Sequence, residues 1–62
     1  MISLTASKFV RGDVIVHASG HEFEVIHVAP LMGGFLVKTV DLVGEIQETF
    51  FRDDKTHTVR RV

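Results

Sequence analysis

Hydrophobic and polar residues alternate along this chain in short runs broken by glycine at close intervals, the pattern of a small all-β domain. Val14-Ile15-Val16-His17 follows the turn signal Arg11-Gly12-Asp13 and reads as a first strand. Ala18-Ser19-Gly20 then suits a three-residue hairpin loop, with glycine where a type I turn plus bulge needs a left-handed residue. His21 to Ala29, rich in Phe, Val and Ile, is a second strand, closed by Pro30-Leu31-Met32-Gly33-Gly34. Phe35 to Val43 is a third strand, and Gly44-Glu45 fits a two-residue type II′ hairpin. Ile46 to Arg52 is a fourth. Asp53-Asp54-Lys55-Thr56 suits one tight helical turn with the acids as its cap, and His57 to Val62 is a last strand. Residues 1–8 read as a short helix or arm, which Ser3 can cap.

The faces are mixed. Pairing strands three and four through Gly44-Glu45 puts Phe35, Val37, Val43, Ile46 and Phe50 on one face together with Thr39, Asp41 and Glu48. Leu36, Val40, Leu42 and Phe51 share the other with Lys38, Gln47 and Thr49. Such mixing is expected where a strand bends sharply and changes face, or where a partner covers part of the second face. The core expected from the pattern is Ile15, Phe23, Val25, Phe35, Val37, Phe50 and Val59.

Four hairpin-linked strands, one helical turn and a last strand follow the order of a five-stranded SH3-like barrel, and the 62 residues leave room for one such domain. The run Arg11-Gly12-Asp13-Val14-Ile15-Val16-His17-Ala18-Ser19-Gly20 resembles the opening of KOW and Tudor-type SH3-like domains and of the small bacterial YodC-like barrels. The likeness extends weakly through Phe23-Glu24-Val25-Ile26-His27-Val28. It implies the barrel more than any activity. KOW domains usually carry a further glycine after the Ser-Gly turn, where this chain has His21-Glu22-Phe23-Glu24. The opening is also similar to that of the type II dihydrofolate reductases, whose pore carries a Val-Gln-Ile-Tyr motif. The corresponding segment, Ile46-Gln47-Glu48-Thr49, keeps only the Gln, and the chain has no tyrosine.

Composition narrows the function. Seven basic and eight acidic residues give a net charge of −1, without the basic excess of a non-specific phosphate binder. There is no cysteine, hence no disulfide or thiolate metal site, in keeping with a reducing compartment. No run approaches the roughly 18 apolar residues of a membrane span. The N-terminus lacks a secretory pattern, so the expected location is the cytoplasm. All five aromatics are Phe, which fill a core but offer no polar tip to a partner.

Candidate chemistry is sparse. His17 and His21 flank the Ala18-Ser19-Gly20 loop as cross-strand neighbours, two of the four ligands a structural zinc needs, with only Asp13 and His27 as supplements. They read as packed hairpin histidines, and no metal is expected. Ser19 sits at a turn, no nucleophile elbow or phosphate-cradling loop is present, and neither enzymatic activity nor a cofactor is expected.

The sequence therefore predicts a non-enzymatic binding or assembly module. It is expected to self-associate, most simply as a homodimer, through Val14, Val16, Leu36, Val40 and Leu42, and to meet some protein partner. The alternative is a KOW- or Tudor-like nucleic-acid-binding domain using an Arg-rich edge formed by Arg11, Arg52, Lys55, Arg60 and Arg61.

Overall fold

The computed structural model describes residues 1–61 and is all-β. Its strands are β1 (Ile2–Thr5), β2 (Val14–Val16), β3 (Glu22–Leu31), β4 (Gly34–Val40), β5 (Ile46–Arg52) and β6 (Thr56–Arg60), with one 3-10 turn over Ala6–Lys8. They form a single antiparallel sheet in the order β1-β6-β2-β3-β4-β5.

Two expectations are corrected here. The sheet has six strands rather than five, and it is not a closed barrel, since β1 and β5 stand at its two edges. The additional strand is the N-terminal segment expected to be a helix or arm. Ile2 to Thr5 lies against β6 from Val59 to Thr56, because Leu4, Ala6 and Phe9 need an apolar surface that an isolated short helix would not supply. The helical turn is likewise at the other end of the chain. Residues Asp53 and Asp54 form a plain turn, where Asp54 accepts from the exposed Arg52 guanidinium at 3.2 Å instead of capping a helix. The last strand begins at Thr56 and ends at Arg60, and Val62 lies outside the described residues.

Two hairpins use the same turn. At the first, the His17 amide donates to the His21 carbonyl and the Gly20 amide to the His17 carbonyl, as the Ala18-Ser19-Gly20 pattern predicts. At the second, the Asp41 amide donates to the Glu45 carbonyl and the Gly44 amide to the Asp41 carbonyl. The expected two-residue loop at Gly44-Glu45 is thus a three-residue loop, Leu42-Val43-Gly44, with Gly44 at φ 85°. Asp41 decides it, since its Oδ1 accepts the amides of Val43 (3.0 Å) and Glu45 (2.9 Å) and holds the chain in the turn.

That loop resets the register and resolves the mixed faces. Val40 pairs with Ile46, Thr39 with Gln47, Val37 with Thr49 and Phe35 with Phe51. Relative to the expected pairing, β5 is turned over, because an odd shift in register exchanges every side chain between faces. Phe51 thereby joins the core side with Val37, while Phe50 goes to the outer face beside Leu36. The β3 strand makes a comparable adjustment: its register shifts between Val25 and His27, and the extra residue, Ile26, lets both Val25 and Val28 face inward.

The core is Ala6, Phe9, Ile15, Val25, Val37 and Val59, with Leu4, Val28, Phe35 and Phe51 packed against it. Ile15, Val25, Val37 and Val59 were expected. Phe50 is corrected to an exposed position, and Phe23 and Phe35 are only half-buried. Ala6, from the segment expected to be a helix or arm, and Phe9, just after it, complete the core. The curl of the sheet brings its distant strands together: the Phe9, Phe51 and His57 rings meet edge-on, with centroids 5.7, 5.9 and 4.7 Å apart.

Candidate functional site

Because the sheet curls without closing, its inner face leaves a cavity of about 350 Å³. Ile15, Phe23 and Phe51 supply its apolar wall, and His17, Thr39, Gln47, Thr49 and His57 its hydrogen-bonding groups. No carboxylate, Lys or Arg lines it. His57 is the one lining residue with a buried polar atom lacking any partner, its Nε2. Burial first, and the Lys55 charge second, push the His57 imidazole below its ordinary pKa, so the ring is neutral at neutral pH. Hydroxyls, an amide and the imidazole of His57 can hold a small uncharged group, but no arrangement of nucleophile, base and orienting acid lies within it.

A second feature is the outer face and edge formed by β4 and β5. Of the five residues expected to mediate self-association, Leu36 and Val40 lie on this face, and Val14 and Val16 on its continuation over β2. All four are half-buried. Leu42 is instead at the hairpin tip, 87% exposed, beside Val43 at 85%. Pattern reading missed Ile46, 60% exposed, and Phe50, 43% exposed, since both were assigned to the opposite face. Leu31 and Met32 are exposed at the β3–β4 turn, at the other end of β4 from Leu42 and Val43, and Met1, Ile2 and Val10 are exposed on the β1 side of the sheet. The edge itself is open, because among the described residues no strand pairs with β5 beyond β4. Neither proline nor bulge interrupts it.

The basic residues fall into two groups. Arg52 and Lys55 flank the turn that precedes β6, whereas Arg60 and Arg61 lie at its far end, roughly 16 Å away at strand rise, on the same side as Arg11 in the Val10–Asp13 turn that Arg61 reaches through Asp13. Three of the five already have acidic partners: Arg52 with Asp54, Arg60 with Glu22 at 3.0 Å, and Arg61 with Asp13. The last is the tightest. Asp13, 1% exposed, accepts from Arg61 Nε at 2.8 Å and from its second nitrogen at 2.9 Å, while its Oδ2 also accepts the Val10 amide at 2.9 Å. Arg61 reaches on to the Lys8 carbonyl at 3.2 Å. Hydrogen bonding from Arg61 holds the Asp13 carboxyl below its usual pKa against the opposing effect of burial, and Asp13 in turn raises that of Arg61.

The hairpin histidines share one serine. The hydroxyl of Ser19 lies 2.8 Å from His17 Nδ1 and 2.7 Å from His21 Nδ1, and the Ser19 amide donates to His17 Nδ1 at 3.1 Å. That amide makes His17 Nδ1 an acceptor, so the consistent arrangement runs from His21 Nδ1–H to the hydroxyl and from the hydroxyl to His17. All three residues are exposed, and no acid completes the set. Among the described residues no three or more His, Asp or Glu side chains gather in a way that could hold a metal ion. Nor is any helix long and apolar enough to cross a membrane.

Comparison with protein-family models, with curated proteins and with solved structures finds no match to this chain.

Proposed function

We propose that this chain is a non-enzymatic binding and assembly module that self-associates through the β4–β5 end of its sheet. The observation that carries the reading is the coincidence of an open strand edge with the exposed apolar side chains Leu42, Val43, Ile46 and Phe50. Pairing two copies along this edge would cover these side chains and add buried area to a core of six residues. An SH3-like descent belongs to the same proposal. Without β1, the order β6-β2-β3-β4-β5 is a meander whose last strand returns to its first.

Sedimentation equilibrium of the full chain at micromolar concentration tests the reading. A concentration-dependent shift toward dimer is expected, and a folded monomer throughout would refute it. The nucleic-acid alternative finds less support, since Arg52, Arg60 and Arg61 are engaged by acids and the five basic residues are divided between two places. Binding of a mixed oligonucleotide that weakens steeply with salt would favour it instead.

A further inference from the structure

The geometry points to one specific mode of self-association: two copies of this chain join β5 to β5 antiparallel, in a register centred on Phe50. The inference rests on the self-association reading and names its contact. It begins from the backbone. The Asp41 amide donates to the Glu45 carbonyl, so that pair is a hydrogen-bonded one. Bonded and non-bonded pairs alternate along an antiparallel ladder. The ladder from Val40↔Ile46 to Gly34↔Arg52 is unbroken, so Gln47, Thr49 and Phe51 turn their amides and carbonyls toward β4. Ile46, Glu48, Phe50 and Arg52 turn theirs to the open edge, where no strand receives them.

Symmetry then limits how a second copy can pair. Antiparallel neighbours related by a two-fold axis have that axis perpendicular to the sheet, so it passes midway between one residue and its own counterpart and keeps the outer faces together. Three central residues leave most of β5 paired. Centred on Glu48, the two Glu48 carboxylates stand opposite each other, and like charges in that position are destabilising. Centred on Thr49, Glu48 faces Phe50 and Arg52 faces Ile46, a mismatch of polarity at both places. Centred on Phe50, Glu48 of one copy faces Arg52 of the other, twice by symmetry, and the two Phe50 positions stand opposite each other on the outer face, where each ring, whose end lies over Gly34, swings toward the axis to meet its counterpart. Opposite charges and aromatic pairs are the favourable cross-strand combinations.

This register also uses the backbone well, because Glu48, Phe50 and Arg52 are the residues whose free amides and carbonyls meet across the axis. Arg52 is available, its only ion pair among the described residues being the exposed one to Asp54. Glu48 would then lie between Lys38, its neighbour on β4, and the incoming guanidinium. On the inner face, Thr49 of one copy comes opposite Phe51 of the other. Both positions line the cavity, so the second copy extends the cavity wall rather than closing it.

The absence of native cysteine makes the register directly readable. Facing Cα atoms at the axis should lie about 5.5 Å apart, within disulfide range. Phe50→Cys is therefore expected to oxidise to a covalent dimer, whereas Thr49→Cys and Glu48→Cys are not. Faster linkage at 49 or 48 would overturn the Phe50 register. A sedimenting dimer that links at none of the three would overturn the β5 edge but leave self-association standing, and no dimer at all would overturn both. Charge reversal supplies an independent arm: Glu48→Arg and Arg52→Glu should each weaken dimerisation about tenfold, and combining them should restore it. Single variants that dimerise like the native chain would refute the pairing.

Discussion

His57 combines two costs in one side chain, an unpartnered buried nitrogen and a ring held neutral by its surroundings. The pH dependence follows with a definite sign. Its pKa in the folded chain lies below the ordinary 6.5, so the unfolded chain takes up the proton first as pH falls. Stability contributed by the neutral ring is thus complete above about 6.5 and lost progressively as pH drops from there through the folded value. His57→Phe keeps the ring contacts with Phe9 and Phe51 and removes the orphaned atom. It is expected to raise stability by about 1 kcal/mol and to flatten this limb, as thermal melts between pH 7 and pH 5 would show. A lower-lying limb belongs to Asp13, whose depressed pKa makes its contribution present above the unfolded value of 3.8 and lost below it. Asp13→Ala should cost about 1–3 kcal/mol, since it strands the Val10 amide and unfastens Arg61. An unchanged chemical-denaturation midpoint for that variant would refute the role. Neither residue was legible as important in the sequence. Burial of a single His or Asp depends on which strands meet, and alternation does not carry that information.

Among the elements, what the sequence made legible was the meander from β2 to β5 and the return of the last strand to the first. Gly20 was readable because a Ser-Gly pair between two alternating runs has few uses, and the structure places it at φ 92°. The second hairpin was misread because its loop residues, Leu42 and Val43, look like strand, and the decisive signal was the Asp41 carboxylate two and four residues before its amide donors. That error of register hid the exposure of Ile46 and Phe50 beside the open edge, by placing both on the wrong face of the sheet. The observed register makes a comparison of adjacent phenylalanines informative. Phe51→Ala should destabilise by about 3 kcal/mol, whereas Phe50→Ala should cost a monomer under about 1 kcal/mol. Equal losses in urea titrations at low protein concentration would contradict the assigned faces. Gly34 marks the same ladder from the other strand. A Cβ there would run into the Phe51 carbonyl and the end of the Phe50 ring, so Gly34→Ala is expected to disrupt the β4–β5 pairing although the residue needs no unusual backbone angle.

For the whole molecule, a core of six buried apolar residues in a chain of this length leaves little margin. If the second copy is part of the folded state, its binding free energy adds to that margin by mass action. The melting temperature should then rise with protein concentration across the micromolar range, and in the Arg52→Glu variant the same rise should need about tenfold more protein. A melting point independent of concentration would separate fold stability from assembly. The N-terminal segment belongs to the same calculation. Removing residues 1–5 would strip β1 from β6 and uncover Val59, which is wholly buried beneath that neighbourhood. It should therefore cost more than trimming an exposed arm.

The position of β6 between β1 and β2 has a consequence for the order in which the chain assembles. The hairpins from β2 to β5 join residues that are neighbours in sequence and can close early, with little loop entropy to overcome. The pairings Ile15↔Val59 and Ile2↔Val59 connect the two ends of the chain and must wait until most of it is in place. Folding kinetics should record that order. Val59→Ala should chiefly accelerate unfolding and scarcely slow folding, whereas substitutions that weaken the β3–β4 hairpin should slow folding itself. Chevron plots of the two classes would then diverge on opposite arms, and the molecule would open from β6 first, releasing Phe9 and the N-terminal strand while the meander still holds.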